Sequence, residues 1–292
     1  MVITSYMVAV GDTLDVDKKS NILSALDRDK YMTGEYLRLA KEYLSGLDLK
    51  GKSAFLFAGG PVVHHSEGRN VKNLLPYGEI AIKSQAGYST YRIIRSIKAD
   101  FSYASINGNT CASSMFSLYE AYNLLHKEGY DNVVIFAGDM VEESQLEVFK
   151  QLNIDITCGD GMAIAVLSKE GDGIASIDNV AWTWHMDPSP MTVTPEGYGN
   201  LLKKLDTTNI NVVKPHGTGT DRNDTAEDIA IAQAGLDHIP TRRFKQDIGH
   251  TQGASALLEL LLSLEELDKG KKVLCLASGL GGFYGGCTAT RR

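Results

Sequence analysis

Residues 249–279 read GHTQGASALLELLLSLEELDKGKKVLCLASG: a turn, a leucine-dense helix, a break at Gly270, an apolar strand and a closing glycine. Residues 107–138, NGNTCASSMFSLYEAYNLLHKEGYDNVVIFAG, run through the same order. From Cys111 to Gly138 is 27 positions, and from His250 to Gly279 is 29. This near-equal spacing indicates an internal duplication, joined near residues 168–175, in which Cys111 and His250 occupy comparable places. The second helix carries Leu257, Leu258, Leu260, Leu261, Leu262 and Leu264. Apolar on nearly every side, it is predicted to be buried rather than amphipathic. Strands alternating with such helices predict a layered α/β architecture with helices sandwiched between sheets.

Working outward, ADFSYASING (99–108) reads as a strand running into Cys111, after which Met115, Leu118, Tyr122 and Leu125 keep helical spacing until Gly129. KSAFLFAGG (52–60) is a short buried strand ending in a glycine turn, and residues 17–48 carry helical charge patterning. GDGMAIAVLSKE and GIASIDNVAWTWH read as two strands separated by EGDG, a hairpin-type connection.

The 292 residues are 43% hydrophobic and 22% charged, ordinary globular material with a formal charge of −7. That charge, without any dense Lys/Arg run, argues against nucleic acid or an anionic membrane as partner. No apolar run approaches the roughly 18 residues that span a bilayer, and the N-terminal stretch lacks the basic region of a signal peptide, so a cytoplasmic protein is expected. Cys111, Cys158, Cys275 and Cys287 show no CxxC spacing and fit neither a disulfide framework nor a zinc site. Three of them sit in apolar or glycine-rich surroundings typical of core thiols.

Cys111 is placed differently. At a strand-to-helix turn a thiol meets unpaired helix N–H groups and the positive dipole end, which favour thiolate. An inert core cysteine and a nucleophile both remain open on that ground alone. A second loop, VVKPHGTGTDRND, puts His216 at a strand end, where sites gather. A third, RFKQDIGHTQGAS, presents Lys245 and His250 ahead of the buried helix; halves related by a pseudo-twofold would bring it against Cys111. In a fourth, ASGLGGFYGG, the glycines at Gly281 and Gly282 let backbone N–H groups approach a ligand. Neither GTGTDR nor GLGGFY completes a dinucleotide or P-loop pattern. His64 and His65 are adjacent and lack a ligand partner, so no metal is expected. Trp182 and Trp184 alternate along a strand and read as packing residues, and His126, His185 and His238 show no partner pattern.

TCASS, KPHGTGT, KQDIGHTQGA and SGLGG, in that order, resemble the β-ketoacyl synthases of the thiolase superfamily from about residue 100 to the end. The resemblance implies the thiolase fold: two duplicated halves in an α-β-α-β-α arrangement, residues 1–170 carrying the nucleophile and 171–292 carrying both histidines. It implies Cys111 as acylated nucleophile, His216 and His250 binding the extender carbonyl, and the backbone N–H groups of Cys111 and Leu280 as oxyanion hole. Lys245 matches the family lysine that orients the second histidine, and Asp224, Glu227 and Glu259 match supporting carboxylates. Thr218 and Thr220 are placed along a pantetheine arm, and Gly281 and Gly282 with them are expected to bind substrate. The implied reaction is decarboxylative Claisen condensation of an acyl-cysteine with a malonyl thioester, in fatty acid or polyketide type synthesis. No cofactor is bound; substrates ride on the phosphopantetheine of an acyl carrier protein. A homodimer, or a heterodimer with a related synthase, is implied as well. Arg242, Arg243, Arg291 and Arg292 would form the carrier's basic landing patch.

The sequence departs from the family in three ways. Leu280 stands where phenylalanine is usual. Asp247 stands where asparagine is common, next to His250, where its charge would favour imidazolium. The chain is also short for a synthase with two histidines. An acyltransferase that forms no carbon–carbon bond, and a partner subunit without catalysis, are the competing readings.

Overall fold

The computed structural model describes residues 1–10, 13–15, 20–22, 32–59, 86–139, 143–151 and 153–292. His64 and His65 lie outside the described residues. Through residue 168 the chain forms β1 (Val2–Val10), β2 (Thr13–Asp15), β3 (Ser20–Ile22), α1 (Met32–Leu44), β4 (Ser53–Ala58), α2 (Ala86–Ile94), β5 (Phe101–Asn107), α3 (Ser113–Lys127), β6 (Asn132–Asp139), α4 (Glu143–Gln151), β7 (Cys158–Gly159) and β8 (Gly161–Ser168). It continues through β9 (Ala175–Trp184), α5 (Pro195–Leu202), β10 (Val212–Lys214), α6 (Asp221–Gln233), the single turn α7 (Lys245–Ile248), α8 (Ser255–Glu266), β11 (Lys272–Gly279) and β12 (Phe283–Arg291).

Side chains alternate across a strand, so a strand buried on both faces must be apolar at every position. In β6, Val133, Ile135 and Ala137 enter one core while Val134 and Phe136 enter another. In β11, Val273, Cys275 and Ala277 share the first of these cores, and Leu274 and Leu276 point into a third. The central core is filled by α3 and α8: Met115, Leu118, Ala121 and Leu124 from one, Leu257, Leu258, Leu260, Leu261 and Leu264 from the other. α1 and α2 cover the outer face of the first series of strands, and α5 and α6 that of the second. Three helical layers thus alternate with two sheet layers. α8 is buried on nearly all sides because it packs on β10 and β11 of its own half and on β1 and β8 of the other.

The large sheet has the order β5-β4-β6-β8-β1-β9-β12-β11-β10. Outward from its middle, β1-β8-β6-β4 and β9-β12-β11-β10 repeat the same arrangement. β4 and β6 run parallel, as do β10 and β11, and the inner pairs are antiparallel. Within the sheet the two sides meet where Val2 and Ile3 pair with Ser176 and Ala175.

The hairpin expected for β8 and β9 does not form. β1 lies between them, antiparallel to both. The connecting loop steps over it so closely that a Cβ on Gly173 would collide with Val2 and stand 2.5 Å from the Ile3 carbonyl oxygen, and Ile174 N–H donates to that same oxygen at 2.8 Å. Neighbouring sequence strands predict a hairpin only when no distant strand competes for the gap.

Candidate active site

Three segments converge on one side of the central layer. Cys111 lies in a tight turn, Thr110–Ala112, that leads directly into α3. Thr110 adopts φ +50°, and Gln252, which opens the matching turn Gln252–Ala254 before α8, adopts φ +48°. The two turns match in length and in the positive φ of their first residue, so the counterpart of Cys111 is Gly253. His250 stands three residues earlier, which corrects the equivalence drawn from the sequence by the length of that turn. Gly279 closes the site from the other strand end. A Cβ there would collide with Thr110 Oγ1 and lie 2.5 Å from the Asn109 carbonyl oxygen, so only glycine lets the turns meet.

The sulfur of Cys111 donates to Gln252 Oε1 at 3.6 Å, and Gln252 Nε2 donates to Cys158 Sγ at 3.9 Å. His250 is pinned to the first half through its backbone: its N–H donates to Thr157 O at 2.7 Å, and Gly159 N–H donates to His250 O at 3.0 Å. His216 follows β10. The two imidazole rings stand 5.3 Å apart, centroid to centroid, and nearly perpendicular. His250 Nδ1 is bonded to Ser255 Oγ at 3.0 Å, while His216 Nδ1 is buried without a hydrogen bond. A buried, unmatched polar atom is costly until something pairs with it.

Beneath the rings lies a buried charge cluster. Lys245 Nζ donates to His216 O and to Glu259 Oε1, each at 2.6 Å, and Lys214 Nζ pairs with Glu259 Oε2 at 2.5 Å. Glu227 accepts from His216 N–H at 2.6 Å and Gly217 N–H at 2.9 Å. Burial, reinforced by Lys245, holds both imidazoles well below their ordinary value, so both are neutral at pH 7. Burial pushes Glu227 up to about 7 against the pull of its two backbone donors. Lys245 is lowered by burial, with Glu259 opposing.

Cys111 reverses one expectation. Its residue is half-buried, yet the surroundings of its sulfur are closed enough that burial drives the thiol up to about 12, against the pull of Lys245. The Asp139 carboxylate, anchored by Gly253 N–H at 2.7 Å, adds to the rise. Desolvation here outweighs the start of α3, and the resting sulfur is a thiol.

Several other assignments change place. Asp247 faces solvent and pairs with Arg242 at 2.7 Å, so its charge is spent at the surface and leaves His250 neutral. Lys245 holds the His216 backbone rather than the His250 ring. Asp224 accepts from Asn223 and lies 3.7 Å from Arg243. Arg242 is clamped by Asp247 and Glu266, Arg243 by Asp224 and Asp228, and Arg291 and Arg292 donate to backbone carbonyls of the 171–174 loop. Four carboxylates around two arginines leave no positive landing patch there. The backbone of the glycine loop is already engaged: Gly281 N–H donates to Pro190 O at 2.8 Å, Trp184 Nε1 donates to Gly281 O at 3.0 Å, and His185 N–H donates to Gly282 O at 3.0 Å. Thr218 and Thr220 are half-buried and bonded to each other at 2.9 Å. The side chain of Leu280 is exposed, and its carbonyl accepts from Thr110.

The sequence reading passed over Gln252, Lys214, Asp139 and Ser255. Lys214 left a signal, a lysine closing an apolar strand just before a singled-out histidine. Asp139 left none, because its role comes from contact with the other half.

Residues 197–275 match the β-ketoacyl synthase C-terminal domain family. A curated relative, the non-reducing polyketide synthase sorB of Penicillium rubens, is 38% identical over 91 residues, 27% of this chain; the chain spans only 3% of that protein's length. Among solved structures, the ishigamide ketosynthase/chain length factor aligns over 100% of this chain and 98% of its own, with TM-score 0.82 and 15% identity. A type II polyketide synthase acyl-carrier protein in complex with its ketosynthase aligns over 100% and 99%, with TM-score 0.79 and 15% identity. Layers, repeat and convergent turns define a thiolase-fold protein. Within that fold, the sequence match to the β-ketoacyl synthase C-terminal domain lies in residues 197–275, which hold both His216 and His250.

Proposed function

We propose that the protein is a β-ketoacyl synthase acting on carrier-bound thioesters, the observation that carries this being two neutral, buried imidazoles 5.3 Å apart beside the Cys111 turn. Cys111 attacks an acyl thioester; its proton passes through a neutral imidazole to the departing carrier thiolate, leaving an acyl-cysteine. A malonyl thioester then enters, and His216 and His250 donate to its carbonyl oxygen. Loss of carbon dioxide leaves an enolate whose charge these donors stabilise in a water-poor pocket. The enolate carbon attacks the acyl carbonyl, and Cys111 departs as the bond to carbon forms. The N–H groups of Cys111 and Leu280 hold the oxyanion of each acyl-transfer step; one such donor is worth about 3–4 kcal/mol of barrier.

In this reading Thr218 and Thr220 face the phosphopantetheine arm, an acyl carrier protein is the substrate's vehicle, and a second, related synthase subunit is the partner. The reading further divides the chain at 170/171 and places it in the cytoplasm; among the described residues no helix is long and apolar enough to cross a membrane. Incubation with acyl carrier and malonyl carrier should give an acyl adduct on Cys111, carbon dioxide and a chain longer by two carbons. An adduct without carbon dioxide would make it a simple acyltransferase; no adduct would leave it a non-catalytic subunit.

A further inference from the structure

We propose that Gln252 is a positioning residue that holds the Cys111 nucleophile as a protonated thiol until substrate arrives, and that Cys158 is the anchor that sets the orientation of its amide. This rests on Cys111 being the nucleophile of the reaction above and goes beyond it by naming what restrains that nucleophile. Gln252 sits at φ +48°, a left-handed conformation that is unfavourable for a residue with a Cβ and persists only where the surroundings enforce it. Its side-chain amide spans two sulfurs from the other half of the molecule. Oε1 faces Cys111 Sγ at 3.6 Å and Nε2 faces Cys158 Sγ at 3.9 Å.

An amide oxygen only accepts. Facing Cys111 it stabilises S–H and repels a thiolate. The opposite end fixes this choice. Cys158 is fully buried, and the adjoining Gly159 is bonded to the His250 backbone, so its sulfur is a stationary acceptor for Nε2. Without that acceptor the amide is free to turn over and present N–H to Cys111, which favours thiolate. The next residue works in the same sense: Gly253 N–H holds the Asp139 carboxylate at 2.7 Å, and that charge opposes ionisation of Cys111. One turn of the second half therefore sets the protonation of a sulfur in the first. An acyl thioester entering beside Cys111 competes for the sulfur and ends the Gln252 contact.

The test is the rate of iodoacetamide alkylation of Cys111 in the full-length protein, followed from pH 6 to 10 by mass spectrometry of the Cys111 peptide. The rate follows the thiolate fraction, and tenfold corresponds to one pKa unit. Cys158→Ala is expected to raise the rate at pH 8 about threefold or more. Gln252→Glu, equal in size but anionic, is expected to lower it. Equal rates for both variants and the parent, or a rise in both, overturn the proposal; if Gln252→Glu does not fold, Cys158→Ala decides alone. Failure of the condensing activity would show instead as missing product with this ordering of alkylation rates intact.

Discussion

A single buried carboxylate balances two buried cations. Glu259 is the partner of both Lys214 and Lys245, all three buried. Removing one lysine leaves a matched pair, whereas removing the carboxylate leaves two cations facing one another in low dielectric. Breaking a buried pair costs about 3–5 kcal/mol, while replacing a buried ion by an apolar group of similar volume is often nearly neutral. Glu259→Gln is therefore expected to lose at least about 3 kcal/mol in urea unfolding and Lys214→Met to lose much less. Equal losses would mean that Lys214, not Glu259, organises the cluster. Since Lys245 holds the His216 carbonyl, the same substitution of Glu259 loosens an imidazole without touching it.

At the scale of elements, α8 is the keystone because two half-sheets close on it. Leu258 is fully buried in the central core. Leu258→Ala is expected to cost about 2–5 kcal/mol, toward the upper end because the site is walled by strands that cannot collapse into the gap. A loss below 1 kcal/mol in denaturant unfolding would show that the central layer repacks freely. The sequence made this helix legible, since six leucines on all sides of one helix leave it no solvent face. The buried strands were legible for the same reason: β6 and β11 are apolar without a break over 133–137 and 273–277. What could not be read was the company a strand keeps. β8 and β9 look like hairpin partners until β1, more than 150 residues upstream of β8, takes the place between them. The site divides likewise. Cys111, His216, Lys245 and His250 were singled out by their place in loops and by the family resemblance of the motifs around them, but Asp139 and Gln252 act across the interface between halves. The closed surroundings that make Cys111 a thiol rather than a thiolate come from the same contact.

For the whole molecule, buried titratable groups define a pH window. Below about pH 6.5 the unfolded chain protonates His216 and His250 while the folded chain does not, so stability falls with acid. Glu227 works the other way, because its folded value of about 7 exceeds the unfolded 4.5 and the native state binds that proton first. Two histidines oppose one glutamate, so the unfolded state takes up the more protons as the pH falls and acid destabilises on balance. Above about pH 9 the unfolded chain releases the Cys111 and Cys158 protons, whereas the folded one keeps them to about 12, and stability falls again. Thermal unfolding across pH should show a plateau from about 7 to 9 with losses on both sides, and His216→Asn should shallow the acid limb. An acid limb unchanged by that substitution would mean the ring is charged in the folded state.

The narrow join at the middle of the sheet has a consequence for synthesis. β1 is synthesised well ahead of its neighbours on either side, which begin only at residues 161 and 175. Contacts so distant along the chain form slowly. Until then a strand with open edges waits in the nascent polypeptide, exposed to any passing β-segment. Yield of native protein should therefore depend on how quickly translation delivers the second half, and on holdases that shield the first.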